Sequence, residues 1–331
     1  MNASVIGGGS WGSAFARYLG RNGIPTRLWV REEEVYRELV RTRENRSFLP
    51  GFRFPANVAF SLDIGEVAPA ADVVFIAVPS QYCPSIYARI GPLLDDRQIV
   101  VSLTKGLERK SLRRMSQVME EVFRRHARPR LAVLSGPSFA RDVAAEHPTA
   151  LVVASHDPDT ARTIQHLISS LTIRAYTSPD VTGVEIAGAL KNVIAIAAGI
   201  VDAMDFGLNS RAALITRGLV EITALGLSLG ASKRTFSGLA GIGDLVLTCT
   251  GELSRNHFVG FELGKGKSLH AILSRMKMVA EGVHTTISAR RLSRAQNVEM
   301  PITNQIYQVL YRSKPARKAL KDLMSRALRE E

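Results

Sequence analysis

The chain has 331 residues, of which 46% are hydrophobic and 22% are charged, a composition that is ordinary for a soluble globular protein. This length is sufficient for two domains with separate cores. With 43 Lys and Arg against 30 Asp and Glu, the formal net charge is +13. Aromatic residues make up only 6%, and no aromatic-rich RNA-binding sequence occurs. We therefore attribute the charge to solvated surface and to attraction of anionic metabolites, and we expect no nucleic-acid partner.

The cysteines and the first residues bear on compartment and metal content. Cys83 and Cys249 lie too far apart to form a CxxC pair, so a reducing compartment is expected and a disulfide framework is not. Neither an HExxH motif nor the spacing of zinc ligands occurs, and we expect no metal. The opening MNASVIGGG predicts a strand and not a signal peptide. We expect a cytoplasmic protein without stable insertion in a membrane.

The first segment has the pattern of a dinucleotide-binding turn. The apolar run Ala3–Ile6 predicts a strand, and a helical segment follows through Leu19. Between them, Gly7, Gly9 and Gly12 match the motif G-x-G-x-x-G. Glycines at this spacing allow a tight turn and close approach of the backbone to a pyrophosphate, which would lie at the N-terminus of the helix.

The end of the second predicted strand, Thr26–Val30, bears on the choice of cofactor. An acidic residue there would favour NAD, whereas an arginine would favour the 2′-phosphate of NADP. Arg31 comes first and Glu32 follows. This order favours NADP(H) and leaves use of NAD(H) open. The alternative is that Arg31 is a surface residue before the start of a helix.

Four further apolar runs predict strands, and helical segments lie between them. The strands are Asp72–Val78, Gln98–Thr104, Leu131–Ser135 and Ala150–Ala154, and the helices include Leu112–Arg125 and Pro158–Ser170. Near-continuous apolar strands that alternate with helices are typical of a parallel sheet covered on both faces. We predict a doubly wound, mainly parallel α/β domain of Rossmann type over residues 1–178.

Turn and polar residues follow three of these strands. They are Pro79-Ser80, Lys105-Gly106 and Gly136-Pro137-Ser138. Ligands of such sheets bind at the carboxyl ends of the strands, so several sets in one half of the chain indicate a single crevice. Lys105 is suited to an anionic ligand, although it could also be an ordinary loop lysine.

The strand pattern ends near residue 178, and long helical segments predict an all-helical domain over residues 179–331. Its opening helix, EIAGALKNVIAIAAGIVD, is apolar all round and carries one lysine, Lys191. The residues that share the face of Lys191 are small: Ala187, Gly188, Ala195 and Ala198. Desolvation at such a position would lower the pKa of the lysine and make it a useful base. Alternatively, its stem lies on apolar surface and its head reaches water.

Later segments carry polar residues suited to ligand binding. Asp244 lies between the glycine-rich GLAGIG and the apolar LVL, where it could also simply cap a helix. The segment Leu253–Asn256, LSRN, groups a hydroxyl, a guanidinium and an amide, a set that can hold phosphate. Pro315–Leu328 predicts a basic amphipathic helix, for which docking on the domain or on another subunit is favoured over membrane binding.

Taken together, these segments resemble the bacterial-type NAD(P)-dependent glycerol-3-phosphate dehydrogenases along nearly the whole chain. The segments that carry the resemblance are GGGSWG, ADVVFIAVPS, LTKGLE, SGPSFARDV, HPTA, EIAGALKNVIAIAAGI, NSRAALITRG, GLAGIGDLVLTCT, LSRN and EGV. The resemblance implies hydride transfer between NAD(P)H and the pair sn-glycerol 3-phosphate and dihydroxyacetone phosphate. It also implies a role in supplying glycerol 3-phosphate for phospholipid synthesis.

The resemblance further implies roles for individual residues. Lys191 would be the proton acceptor, Asp244 would orient the reacting groups, and Thr248 would lie near the reacting carbon. Besides the glycine turn of Gly7, Gly9 and Gly12, the implied cofactor contacts are Ser10, Trp11, Arg31, Lys105, Ala140, Arg255, Val279 and Glu281. The implied substrate contacts are Lys105, Gly136, Ser138, Lys191, Asp244, Ser254, Arg255 and Asn256. One departure is Glu146, which precedes HPTA where glycine is commoner in the family.

Two other functions are left open by the sequence. One is a β-hydroxyacid-type NAD(P) dehydrogenase, against which LSRN and GLAGIGD weigh. The other is a non-catalytic protein that senses a dinucleotide and would have no need of Lys191 among small residues. The sequence leaves a homodimer open and does not decide between NADH and NADPH.

Overall fold

The computed structural model of the protein describes residues 1–276, 278–328 and 330. The chain divides into two compact units. The first comprises Met1–Glu108 and Arg113–Glu185, and the second comprises Arg109–Leu112 and the chain from Ile186 onward. The division falls within one long helix, Val181–Ala203. The predicted boundary at residues 178 and 179 lies just before this helix begins.

The first unit is built on one eight-stranded sheet. The strands are β1 (Ala3–Ile6), β2 (Thr26–Trp29), β3 (Val58–Ser61), β4 (Val73–Ile76), β5 (Ile99–Ser102), β6 (Arg130–Ser135), β7 (Thr149–Ala154) and β8 (Ile173–Ser178). Their order across the sheet is β3-β2-β1-β4-β5-β6-β7-β8. Every pair is parallel except β6 and β7, which are antiparallel. The predicted mainly parallel α/β fold is confirmed.

Helices cover both faces of this sheet. They are α1 (Ser10–Arg21), α2 (Glu33–Thr42), α3 (Ile64–Val67), α4 (Cys83–Ile90), α5 (Met115–Phe123), α6 (Ala140–Ala144) and α7 (Pro158–Ile168). Successive side chains of a strand point to opposite faces. In β4, accordingly, Val73 and Phe75 belong to one hydrophobic core, and Val74 and Ile76 belong to the other. The doubly wound arrangement follows from this two-sided burial.

The two edge strands, β3 and β8, are absent from the sequence prediction. Each has a neighbour on one side only, and exposed residues interrupt its apolar pattern. In β8, for example, Ile173 and Ala175 are buried whereas Arg174 and Tyr176 are exposed. A half-solvated edge does not need the continuous apolar run by which buried parallel strands are identified.

The second unit is helical throughout its described residues. Its helices are α8 (Val181–Ala203), whose first turn belongs to the first unit, α9 (Gly207–Ser228), α10 (Lys233–Phe236), α11 (Asp244–Thr250), α12 (Arg255–Gly264), α13 (Leu269–Leu273), α14 (Glu281–Ala295), α15 (Pro301–Tyr311) and α16 (Ala316–Met324). A π-helical turn at Leu239–Gly243 precedes α11. The predicted all-helical second half is confirmed.

Helix α8 is the core helix of this unit. By length and composition it could cross a membrane, but its most apolar window is entirely buried inside the protein. Helix α12 lies directly against it. A Cβ at Gly260 would come within 1.9 Å of the Ile196 carbonyl oxygen, and a Cβ at Gly199 within 2.0 Å of the His257 carbonyl oxygen. The two backbones are therefore in contact, and only glycine permits this approach.

Candidate active site

The three glycines of the turn after β1 differ in what surrounds them. Gly7 has a φ of +125°, and a Cβ there would lie 2.6 Å from the Ala77 carbonyl oxygen. A Cβ at Gly12 would lie 1.9 Å from the Gly7 carbonyl oxygen. No protein atom lies within 4 Å of the Cβ position of Gly9. The protein itself thus excludes side chains at two positions and leaves space at the third.

The open space at Gly9 lies at the N-terminus of a helix. Helix α1 begins directly after Gly9, which supplies no side-chain cap, and the first turn carries no acidic residue. Backbone N–H groups and the helix dipole at such an end favour a phosphate group. The residues present therefore fit the pyrophosphate of NAD(P), as the glycine motif predicts.

Side chains around the turn hold it in shape. Asn45 is fully buried, and its Nδ2 donates to the Gly8 carbonyl oxygen and to Ser13 Oγ, both at 2.8 Å. Ser10 Oγ donates to the Phe48 carbonyl oxygen at 2.7 Å. The sequence reasoning missed Asn45, because it lies 37 residues from Gly8 and no local motif marks it.

Arg31 lies at the end of β2 with a carboxylate beside it. Its Nη2 is 2.6 Å from Glu32 Oε1, and its guanidinium lies over the ring of Tyr82 at 5.7 Å. The Arg31 side chain is 63% exposed. An exposed guanidinium can meet a phosphate, whereas Glu32 offers the acceptor expected for a ribose hydroxyl. The guanidinium and the carboxylate therefore lie side by side after β2, paired with each other.

Three of the predicted substrate residues of the first unit meet at one carbonyl group. Lys105 Nζ donates to the Gly136 carbonyl oxygen at 2.8 Å, and Ser138 Oγ donates to the same oxygen at 2.9 Å. Gly136 has a φ of +126°, a conformation that favours glycine.

Ala140 begins α6 and packs with Trp11 on a small buried cluster. That cluster consists of Ala14, Leu49 and Ala144.

In the second unit, Lys191 forms a buried ion pair. Its Nζ donates to Asp244 Oδ1 at 2.5 Å and to Thr248 Oγ1 at 2.8 Å. Lys191 is 7% exposed and Asp244 is 1% exposed. The alternative in which the lysine head reaches water is therefore wrong. Both partners belong to α11 and supply the counter-charge and the hydrogen bond that a buried charge requires.

Asn192, which follows Lys191, belongs to a second buried polar chain. Asn256 Nδ2 donates to Asn192 Oδ1 at 2.8 Å, and the Gly282 N–H donates to Asn256 Oδ1 at 2.8 Å. This chain joins α8, α12 and α14. Asn256 was predicted from the LSRN segment, but Asn192 was not singled out, and its only signal was its position beside Lys191.

The remaining predicted contacts lie where α12 and α14 begin. Ser254 precedes α12, and its Oγ accepts the His257 backbone N–H at 3.2 Å. Arg255 Nη1 donates to the Val279 carbonyl oxygen at 2.7 Å. Glu281 is the first residue of α14. The structure thus brings Arg255 and Val279 into contact, although they are 24 residues apart.

Two family models match the chain. The N-terminal model of NAD-dependent glycerol-3-phosphate dehydrogenase matches residues 2–161, and the C-terminal model matches residues 180–321. The chain belongs to this family. The sequence resemblance to these dehydrogenases is confirmed, and with it an NAD(P)-dependent oxidoreductase.

Individual relatives agree with this assignment. A glycerol-3-phosphate dehydrogenase (NAD(P)+) from Syntrophotalea carbinolica is 50% identical over 331 residues, which cover 100% of this chain and 99% of the relative. One of the same name from Geobacter sulfurreducens is 50% identical over 327 residues, which cover 99% and 98%. A crystal structure of glycerol-3-phosphate dehydrogenase from Coxiella burnetii matches with a TM-score of 0.94 at 35% identity, over 98% of this chain and 99% of that one.

Over residues 1–276, 278–328 and 330, no group of three or more His, Cys, Asp and Glu side chains could hold a metal ion.

Proposed function

We propose that this chain interconverts sn-glycerol 3-phosphate and dihydroxyacetone phosphate, with NAD(P)H as the redox partner and Lys191 as the acid–base residue. The observation that carries the proposal is the buried cluster of Lys191, Asp244 and Thr248 in a chain whose two halves match this dehydrogenase family. The glycine turn of Gly7, Gly9 and Gly12 would hold the cofactor, which would supply the hydride for C2 in the reduction and accept it in the oxidation.

Lys191 moves the proton that balances the hydride. In the reduction, the ammonium donates a proton to the C2 oxygen as that oxygen gains charge. In the oxidation, the neutral amine accepts the proton of the C2 hydroxyl. Lys191 is buried, and the Asp244 carboxylate beside it favours the ammonium form. Positioned acid–base catalysis of this kind is worth about 10²–10⁴ in rate.

Thr248 and Asp244 set the direction in which the ammonium points. Thr248 Oγ1 accepts from Lys191 Nζ while it donates to the Asp244 carbonyl oxygen at 2.6 Å. Because its own hydrogen is committed in this way, the hydroxyl presents a lone pair to Nζ. The carboxylate of Asp244 holds Nζ from a second direction. We assign both residues an orienting role in catalysis.

The other residues divide between cofactor and substrate. For the cofactor we propose Gly7, Gly9, Ser10, Trp11, Gly12, Arg31, Lys105, Ala140, Arg255, Val279 and Glu281, with Arg31 favouring NADP(H). For the substrate we propose Lys105, Gly136, Ser138, Lys191, Asp244, Ser254, Arg255 and Asn256. The guanidinium of Arg255 and the ammonium of Lys105 suit the phosphate group, since charge-assisted hydrogen bonds to phosphate are the strong ones.

The proposal extends to the protein's setting. Residues 1–178 bind the dinucleotide and residues 179–331 carry the acid–base chemistry. The protein acts in the cytoplasm, supplies glycerol 3-phosphate for phospholipid synthesis, and binds neither nucleic acid nor the membrane interior. A homodimer is compatible with this role.

Replacement of the acid–base residue tests the proposal. Lys191→Met keeps the side-chain length, and we expect kcat to fall by about 10²–10⁴. The single variant leaves the Asp244 carboxylate without this ammonium, which destabilises a buried site. The double variant Lys191→Met/Asp244→Asn also removes the carboxylate charge, so it tests the same role without an unpaired buried charge. Lys233→Met, at an exposed lysine, is the control. Turnover within a few-fold of wild type in both Lys191 variants would show that the assignment is wrong.

A further inference from the structure

A second polar cluster lies in the helical unit and is used neither by the predicted site nor by the proposed mechanism. It consists of Asp202, Arg211 and His257. Asp202 Oδ2 accepts from Arg211 Nη1 at 3.0 Å and lies 2.7 Å from His257 Nε2. The three side chains are 17–27% exposed, so water competes only partly with these contacts.

The cluster joins three helices near the start of α12. Asp202 is in the last turn of α8, and Arg211 is near the beginning of α9. His257 is in the first turn of α12, directly after Arg255 and Asn256. Its backbone N–H donates to Ser254 Oγ while its ring binds Asp202. His257 therefore connects the LSRN segment with the end of the helix that carries Lys191.

The close packing of α12 on α8 bears on the role of the contact between Asp202 and His257. Gly199 and Gly260 bring the two backbones together, so no side chain at these positions interlocks the helices. Side-chain ridges normally fix how one helix sits along another. Polar contacts on either side of the backbone contact add to the forces that fix the register of the two helices. The Asp202–His257 pair lies on one side, and the Asn192–Asn256 hydrogen bond lies on the other.

Distance excludes a direct contact of Asp202 with Lys191. Asp202 follows Lys191 by eleven residues on α8, which is about 16 Å along a helix. Helix α12, whose first two residues are Arg255 and Asn256, is the route by which a change at the cluster would reach the proposed phosphate contacts.

We propose that Asp202 and His257, with Arg211 holding the Asp202 carboxylate, are positioning residues that place Arg255 and Asn256 for the phosphate group of the substrate. The inference rests on the proposed function, because it requires these two residues to bind that phosphate. It assigns a role to three side chains that lie outside the catalytic and binding machinery.

The test compares a phosphorylated substrate with its phosphate-free counterpart. Dihydroxyacetone phosphate and dihydroxyacetone share the reacting ketone. The ratio of kcat/KM for dihydroxyacetone phosphate to kcat/KM for dihydroxyacetone therefore isolates the phosphate contacts. For His257→Ala we expect KM for dihydroxyacetone phosphate to rise about tenfold, since the lost bond involves a charged group. We expect kcat to stay within about threefold and kcat/KM for dihydroxyacetone to stay within about twofold. The inhibition constant of inorganic phosphate should rise with the KM.

Conservative variants separate positioning from folding. The amide nitrogen of His257→Gln can reach the place of Nε2, so this variant should restore most of the ratio. Asp202→Asn should lower the ratio as His257→Ala does. Because the two residues share one contact, the double variant should be no worse than the poorer single variant.

Three results would overturn the inference. A lower melting temperature with an unchanged ratio in His257→Ala would mean that the cluster serves folding only. If His257→Ala does not fold, either of two other results would have the same meaning. One is an unchanged ratio in Asp202→Asn, and the other is a ratio that His257→Gln fails to restore to that of the wild type. No turnover of dihydroxyacetone phosphate by the wild type would overturn the proposed function and this inference together, which distinguishes the two failures.

Discussion

At the scale of single residues, the glycine turn shows that one motif contains positions under different constraints. Gly12 is required by the protein, because a side chain there would collide with the Gly7 carbonyl oxygen at 1.9 Å. Gly9 has no protein neighbour within 4 Å of its Cβ position. Its backbone is extended with φ −70°, which any residue can adopt. A ligand that approaches this backbone would account for glycine at this position.

Alanine at these two positions should therefore affect different properties, cofactor binding for Gly9 and stability for Gly12. We expect Gly9→Ala to leave the free energy of unfolding within about 0.5 kcal/mol of wild type and to raise KM for NADPH about tenfold or more, equivalent to about 1.4 kcal/mol. We expect Gly12→Ala to lower the free energy of unfolding by roughly 2–3 kcal/mol through overpacking. Thermal unfolding and initial rates check both. An unchanged KM in a well-folded Gly9→Ala would contradict the pyrophosphate placement.

Arg31 provides the second test at this scale. Because Arg31 carries the proposed contact to the 2′-phosphate, Arg31→Ala should weaken NADPH about tenfold more than NADH. Arg37→Ala is the matched control, since Arg37 is also exposed and also pairs with a glutamate, Glu33. Binding of both cofactors can be measured by isothermal titration. Equal losses for NADPH and NADH would exclude a role for Arg31 in recognising the 2′-phosphate.

At the scale of elements, the sequence predicts strands better at the centre of the sheet than at its edges. The central strands β1, β4 and β5 are buried on both faces, and their apolar runs are visible without a structure. Strand β8 is half exposed, so it was missed. The antiparallel pairing of β6 with β7 could not be read from either strand, because a strand's own residues do not record the direction of its neighbour.

A buried carboxylate at the start of α15, that of Glu221, makes the stability of the protein depend on pH. Glu221 of α9 accepts the backbone N–H groups of Ile302 and Thr303 at the beginning of α15, and also the Thr303 hydroxyl. Burial raises the pKa of Glu221 from an ordinary 4.5 to about 7, and these hydrogen bonds limit the rise. Folding therefore favours the protonated form of this group.

This pKa gives a pH dependence with a definite sign. The unfolded chain ionises Glu221 near pH 4.5, whereas the folded chain does so near pH 7. The free energy of unfolding should then fall as pH rises across this window, by roughly 3 kcal/mol from this group. Glu221→Gln should remove that part of the slope, and Glu252→Gln, at an exposed glutamate, is the control. Denaturant titrations check this, and identical slopes in wild type and Glu221→Gln would contradict it.

At the scale of the whole molecule, local motifs identify residue types but not their partners. The GALKN segment singles out Lys191, and GLAGIGD singles out Asp244, yet 53 residues separate them in the chain. Their ion pair depends on how α11 packs on α8, which no local pattern records. The same holds for Asn192 and Asn256, 64 residues apart. Sequence reasoning therefore identified both residues of the first pair and only Asn256 of the second, and the structure shows which side chains are paired.

Steady-state rates of the wild-type protein test the proposed reaction most directly. NADPH oxidation should require dihydroxyacetone phosphate and should yield sn-glycerol 3-phosphate. At equal concentration, NADPH should be used faster than NADH, and β-keto acids should give no turnover. An absence of oxidation that depends on dihydroxyacetone phosphate, or equal turnover with a β-keto acid, would contradict the account.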